Sequence, residues 1–365
     1  MRKLIWLICV AAVFCGSALA DEGHHDEVTR EQLGTVHFPV SCTPNAQKTF
    51  EKGVALLHSF WYEEAEKTFL EVEKQDPKCA MAHWGVAMSL WHQLWDQPNA
   101  ATIKRASEEL NQADKTHSKA ETARERDYIA AIHAFYSNSE KLDHQARARA
   151  YSAAMEKVYQ RYPDDHEAAA FYALSLLASE PENDTTFANR KKAAAILEKL
   201  FALEPNHPGV AHYLIHTYDK PQLAELGLPA ARRYAQIAPF APHAVHMPSH
   251  IFARVGDWPD DIKSNLASIA ATRHAASMHM GGEGHQFHAM DFLIYAYLQS
   301  GREDEAAKVI DEVRSMPAME MAGRDMHAFA MSKFPAMYAL EMHRWTDAAN
   351  LEVIANATPG DRSYT

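Results

Sequence analysis

The sequence predicts an all-α chain of successive antiparallel helix pairs, and three observations carry that prediction. From Asn45 onward, apolar residues recur at helical spacing almost throughout. Alternating β-branched runs, the mark of strands, are scarce. Glycine and proline sit mainly between the periodic segments, placing turns near Ser59, Pro77, Pro98, Asp143, Pro163, Pro205, Pro221, Pro242, Gly256, Gly281, Gly301 and Arg344. This punctuation implies about 16 helices of roughly 12 to 20 residues, the layout of a repeat array or a large bundle.

The helices are preceded by two segments of different character. Arg2 and Lys3, an apolar run from Leu4 to Phe14 and the small residues Ser17, Ala18 and Ala20 predict a secretory signal over 1–20. The run is too short to span a bilayer, and a lipoprotein site at Cys15 would follow a bulky Phe14. Residues 21–43, with His24 and His25, are expected to form a flexible polar lead. The helical repeat domain is expected over 44–358 and a tail over 359–365. No later segment is long and apolar enough for a transmembrane helix, so the chain is expected in the periplasm or secreted medium.

Charge and cysteines narrow the classes further. The chain carries 36 basic and 48 acidic residues, a net −12. Loss of Arg2 and Lys3 with the signal leaves 34 basic against 48 acidic, or −14, which argues against a nucleic-acid partner. Only Cys42 and Cys79 remain beyond the signal, a candidate disulfide in an oxidising compartment, with two free thiols as the alternative. Each precedes the first helix of successive pairs. One bridge cannot hold a chain of this size, so the fold rests on burial, which a hydrophobic fraction of 47% permits.

A repeat test decides the architecture. Gly53, Ala65, Phe69 and Pro77 are separated by 12, 4 and 8 residues, the offsets of a tetratricopeptide (TPR) repeat. The small residues let paired helices approach, the aromatic fills the space beside them and proline ends the second helix. Ala193, Leu197, Leu200 and Pro205 echo the second half of the pattern, as do Gly301, Ala306, Ile310 and Val313, and then Trp345 and Ala348. The expected fold is a TPR-like α-solenoid of about eight antiparallel helix pairs. The stretches FEKG (50–53), LHSFWYEEA (57–65), DPKCAMAHWG (76–85), HPGVAHYLIH (207–216) and HAVHMPSHIF (243–252) resemble a family of exported bacterial TPR proteins. That resemblance runs over nearly the whole mature chain and implies fold and compartment. It carries over no activity and no catalytic residue. It also implies longer chains, with a final capping helix or further repeats beyond Thr365.

Histidines on three later helices form the candidate site. Between Pro208 and Asp219, Ala211, Leu214, Ile215 and Tyr218 make a buried stripe, while His212, His216 and Asp219 share the adjacent one. The next helix carries His243, His246 and His250 beside a buried stripe of Pro248, Ile251, Phe252 and Val255. His246 is expected to face the groove and His250 its margin. The third carries His285, His288, Asp291 and Tyr295 beside buried Met290, Leu293, Ile294 and Tyr297. Imidazoles at i, i+4 reach one ion, so His212, His216, Asp219, His246, His250, His288 and Asp291 are candidate ligands for a divalent, Zn-like transition metal, with Asp219 either a ligand itself or an orienter of a ligand ring. The alternatives are histidines hydrogen-bonded to one another, to Tyr213 and Tyr218 and to acidic neighbours, or histidines that bind a peptide or carboxylate directly together with Arg254.

Arg254, Tyr295 and Trp84 are candidate contacts for a bound peptide. Met278, Met280, Met316, Met319, Met321, Met326 and Met331 could serve Cu(I) as soft ligands or simply fill core gaps. Ser249 between His246 and His250 is not by itself a triad, and no zinc-protease, P-loop or dinucleotide motif is present. The favoured expectation is a scaffold that binds a peptide or protein in its concave groove, with a His/Asp cluster there able to hold metal. A metal-dependent enzyme and a periplasmic metal carrier are the alternatives.

Overall fold

The structure, a computed structural model, describes residues 32–116, 122–317 and 321–351, with the backbone alone at 321–325. The expected signal, residues 21–31 of the lead, Met319 and the tail lie outside the described residues. The helices are α1 (Pro44–His58), α2 (Tyr62–Gln75), α3 (Ala80–Ser89), α4 (Ala100–Lys115), α5 (Ala123–Tyr136), α6 (His144–Arg161), α7 (His166–Ala178) and α8 (Ala188–Leu203). They continue as α9 (Pro208–Tyr218), α10 (Leu228–Ile237), α11 (Pro242–His246), α12 (Pro248–Val255), α13 (Trp258–Ser277), α14 (His285–Gln299), α15 (Glu303–Ser315), α16 (Met321–Glu341) and α17 (Trp345–Ala349). Among the described residues there is no strand, and most helices pack mainly on their neighbours in sequence.

Local chemistry accounts for much of this. Asn99, Asp143 and Asp165 cap α4, α6 and α7 through their side chains, and Thr122 with Glu125 forms a capping box on α5. In the first pair, Phe69 is fully buried against Gly53 and Gly85. A Cβ at Gly85 would lie 2.3 Å from the Phe69 ring, so the close approach of α2 and α3 requires glycine there. Ala193, Leu197 and Leu200 are buried on α8, and Ala306, Ile310 and Val313 on α15. The expected repeat at Trp345 does not pack in this way: α17 buries none of its residues, and Trp345 is 61% exposed.

Two expectations are corrected at the start of the chain. Residues 32–43 are not a flexible lead but a strap laid across the fold. Leu33, Val36 and Phe38 are buried, Thr35 N–H donates to the Asn206 carbonyl at 2.9 Å, and Phe240 N–H donates to the Gln32 carbonyl. Trp84 is not a groove residue: it is 1% exposed, walled by Phe38, Phe50, Tyr128 and Phe171. The strap's apolar residues cover the face that Trp84 was expected to present. A disulfide joins Cys42 to Cys79 across a Cα separation of 5.0 Å, tying the start of α1 to that of α3.

The far end of α1 turns inward and meets α9. Gly209 makes this possible, since a Cβ there would lie 2.4 Å from the His58 ring. After α1, Phe60 adopts φ 53° and Trp61 is fully buried, its indole N–H donating to the Gly281 carbonyl at 2.8 Å. The first hairpin therefore fills space between later helices. A second core forms from α13 to α16, where Met316, Met326 and Met331 pack on apolar neighbours. Met280 packs on the first core, so these methionines act as filler. Among the described residues no helix is long and apolar enough to cross a membrane.

Candidate metal centre

Four helices carry the site. α9 is short and buried on nearly all sides, so His212 lies in the core beside the expected apolar stripe. α11 and α12 were expected as one helix. Pro248 has no N–H to donate, and the chain breaks at Met247, with His250 N–H bonding to the Met247 carbonyl. His243 and His246 precede the break and His250 follows it. α14 supplies His288.

These histidines gather into two sets of three, each offering nitrogens within 4.8 Å of one another. His212, His216 and His243 form the first, and His246, His250 and His288 the second. In the first set, His212 Nε2 lies 3.1 Å from His243 Nε2, and His216 Nε2 is buried without a hydrogen-bond partner. In the second set, His250 Nε2 lies 3.0 Å from His246 Nε2 and 3.4 Å from His288 Nε2. Each set has an aromatic wall. Phe60 stands 4.3 Å, centroid to centroid, from His212, and Phe292 stands 4.5 Å from His250.

The outer ring nitrogens are held from behind. His212 Nδ1 donates to the His58 carbonyl at 2.6 Å. His246 Nδ1 donates to Asn265 Oδ1 at 2.7 Å, and the Asn265 amide nitrogen is directed to Asp261, which fixes the oxygen toward the histidine. His250 Nδ1 donates to Asp219 Oδ2 at 2.8 Å. All three acceptors are oxygens without a proton to give, so each ring carries a hydrogen on Nδ1, and in its neutral form Nε2 is the free lone pair. Burial pushes His212 down to about 3, and burial first, then neighbouring histidines, holds His243, His246 and His288 well below the ordinary value.

The expected ligand list changes accordingly. His212, His216, His246, His250 and His288 come together as donors. His243, not among the expected ligands, joins them, with its Nε2 3.1 Å from His212 Nε2. Asp219 stands behind His250 instead of beside the lone pairs. It is the residue after α9, with non-helical φ −73° and ψ 60°, so the helical i+7 projection from His212 no longer applies. Its other oxygen takes Arg254 Nε at 2.9 Å. Burial alone would raise Asp219, but His250 and Arg254 outweigh it and hold the carboxyl well below the usual carboxylate range. Asp291 is drawn off by Lys333 of α16, 2.5 Å away, and belongs to neither set.

Two cavities adjoin the sets. One of about 520 Å³ is lined by His250, Asp291, Phe292, Tyr295, Lys333 and Arg254, so the last two expected ligand contacts meet at one opening. Another of about 390 Å³ reaches His216, and Asp219 and Arg254 border both. No family model matches this chain, and no curated protein is recognisably similar to it.

Proposed function

We propose that this chain is a metal-binding protein, an exported TPR-like helical scaffold whose buried imidazoles hold a transition-metal ion. One observation carries the reading: His246 and His250 bring their Nε2 atoms within 3.0 Å of each other while both Nδ1 hydrogens are committed to oxygens, so in the neutral rings two lone pairs face each other. Two lone pairs at that distance repel, and a cation between them removes the repulsion. A proton is disfavoured at His246 by burial. A metal ion fits: with bonds of about 2.0–2.1 Å to nitrogen, ligands on a tetrahedron stand roughly 3.4 Å apart. The backing of each donor ring by a carbonyl, amide or carboxylate is the usual outer support of a histidine ligand. The disulfide fits an oxidising compartment outside the cytoplasm.

A peptide-binding groove has less support, because Trp84 and the inward histidines are packed away and the nearby openings suit small molecules. The test is metal analysis of untagged protein after loading with zinc and desalting. At least about one equivalent is expected, and His246→Ala and His250→Ala should each lower it. Less than about 0.2 equivalents after loading would sink the reading.

A further inference from the structure

The two histidine sets adjoin. The rings of His243 and His246 are 6.1 Å apart, and those of His216 and His250 are 6.3 Å apart, so the two sets lie side by side. Resting on the metal reading above, we propose that the six imidazoles hold two ions side by side as one dinuclear copper centre, whose open side takes a small bridging ligand through the cavity at Arg254, Tyr295 and Lys333.

The count follows from the geometry. Within the second set the nitrogen separations of 3.0 and 3.4 Å are those of ligands sharing one ion, and the first set has its own pair at 3.1 Å. The two sets do not merge into one group of mutually close nitrogens. Each set has three imidazoles, one phenylalanine wall and at least one ring held from behind, which leaves each ion coordinatively unsaturated. Two-metal sites hold their ions about 3.5–4 Å apart, close enough for one small ligand to touch both.

The metal follows from the donors. Neither set includes a carboxylate or thiolate, since Asp219 faces outward to Arg254 and Asp291 is bound to Lys333. Imidazole-only donors suit late first-row metals, and copper stands highest among them in affinity. Neutral ligands in a dry pocket leave the ions' charge uncompensated, which favours monovalent copper or an anionic bridge between divalent ions. The cavity of about 520 Å³ ends on His250 of the second set, which gives such a bridge a way in.

The experiment loads metal-free, full-length untagged protein with copper, alone and against equimolar zinc, then measures metal per chain and copper-edge X-ray absorption. Two coppers per chain are expected, each with about three nitrogen neighbours and a copper neighbour within about 4 Å. His288→Ala and His243→Ala, each checked for helicity by circular dichroism, should each drop the content to one and erase the copper–copper signal. One copper in the unaltered protein, or two without a copper neighbour, overturns the dinuclear centre but keeps the metal reading. A zinc-filled protein in the competition overturns the copper preference. No bound metal of either kind overturns both.

Discussion

Two buried histidine clusters in this molecule are wired in opposite ways. Around Glu167, the His58 and His207 rings each present Nε2 to a carboxylate oxygen, at 2.8 and 2.9 Å. Their other nitrogens accept: His207 Nδ1 takes the Val210 N–H, and His58 Nδ1 takes the Tyr213 hydroxyl at 2.7 Å. Every ring nitrogen is satisfied. Burial alone would raise Glu167, but His207 and His58 outweigh it and hold the carboxyl well below the usual carboxylate range. Around His246 and His250 the hydrogens point outward and the lone pairs inward. Both clusters bring three potential ligands together in a buried place, so proximity and burial do not distinguish them. The direction of the N–H does: the first cluster satisfies its own ring nitrogens, and the second turns its Nε2 atoms toward one another.

The largest expected effect breaks the closed cluster. Glu167→Ala strands two buried N–H groups and should lower stability by about 3–5 kcal/mol in urea denaturation of the metal-free protein. Bound metal, measured on the folded fraction, should be unchanged. A loss of metal here comparable to that in His246→Ala would mean that the two clusters are not different in kind.

The open cluster should respond the other way. Asp219→Asn removes the anionic support behind His250 and should weaken metal affinity roughly 10–100-fold while changing the metal-free protein's stability little. Full retention of affinity would show that Asp219 serves only Arg254. In the metal-free state, His250→Ala relieves the facing lone pairs, so its cost should stay below about 1 kcal/mol.

The smallest effect concerns a third arrangement. His83 lies between Glu73 and Glu109, at 3.0 and 2.9 Å. Burial would depress it, but Glu109 and Glu73 outweigh that and raise it to about 9. A histidine raised in the folded state stabilises fully below its unfolded value of about 6.5, and that contribution is lost as pH rises through about 9. Being partly open to solvent, the ion pair should contribute on the order of 1 kcal/mol or less. His83→Gln should flatten the pH dependence of the melting temperature between those limits; an unchanged slope would place the titration elsewhere.

Much of this was legible before any tertiary contact was known. The helix punctuation, the Phe69 seat between small residues, and the pairs His212/His216 and His246/His250 all follow from spacing along one helix, which local geometry preserves. Two of the misreadings share one cause, a neighbour distant in sequence. Trp84 was covered by the strap that carries Phe38, and Asp291 was taken by Lys333 from α16. Asp219 departs for a local reason: it follows the end of α9, where the backbone leaves helical geometry and periodicity no longer projects the side chain.

By itself, then, the sequence determined an all-helical chain and which histidines share a helix, because propensity, capping and periodicity act within a few residues. Only the tertiary structure decided which lone pairs meet. That depends on the carbonyl of His58, the amide of Asn265 and the carboxylate of Asp219, three oxygens delivered by separate parts of the chain that orient the rings from behind.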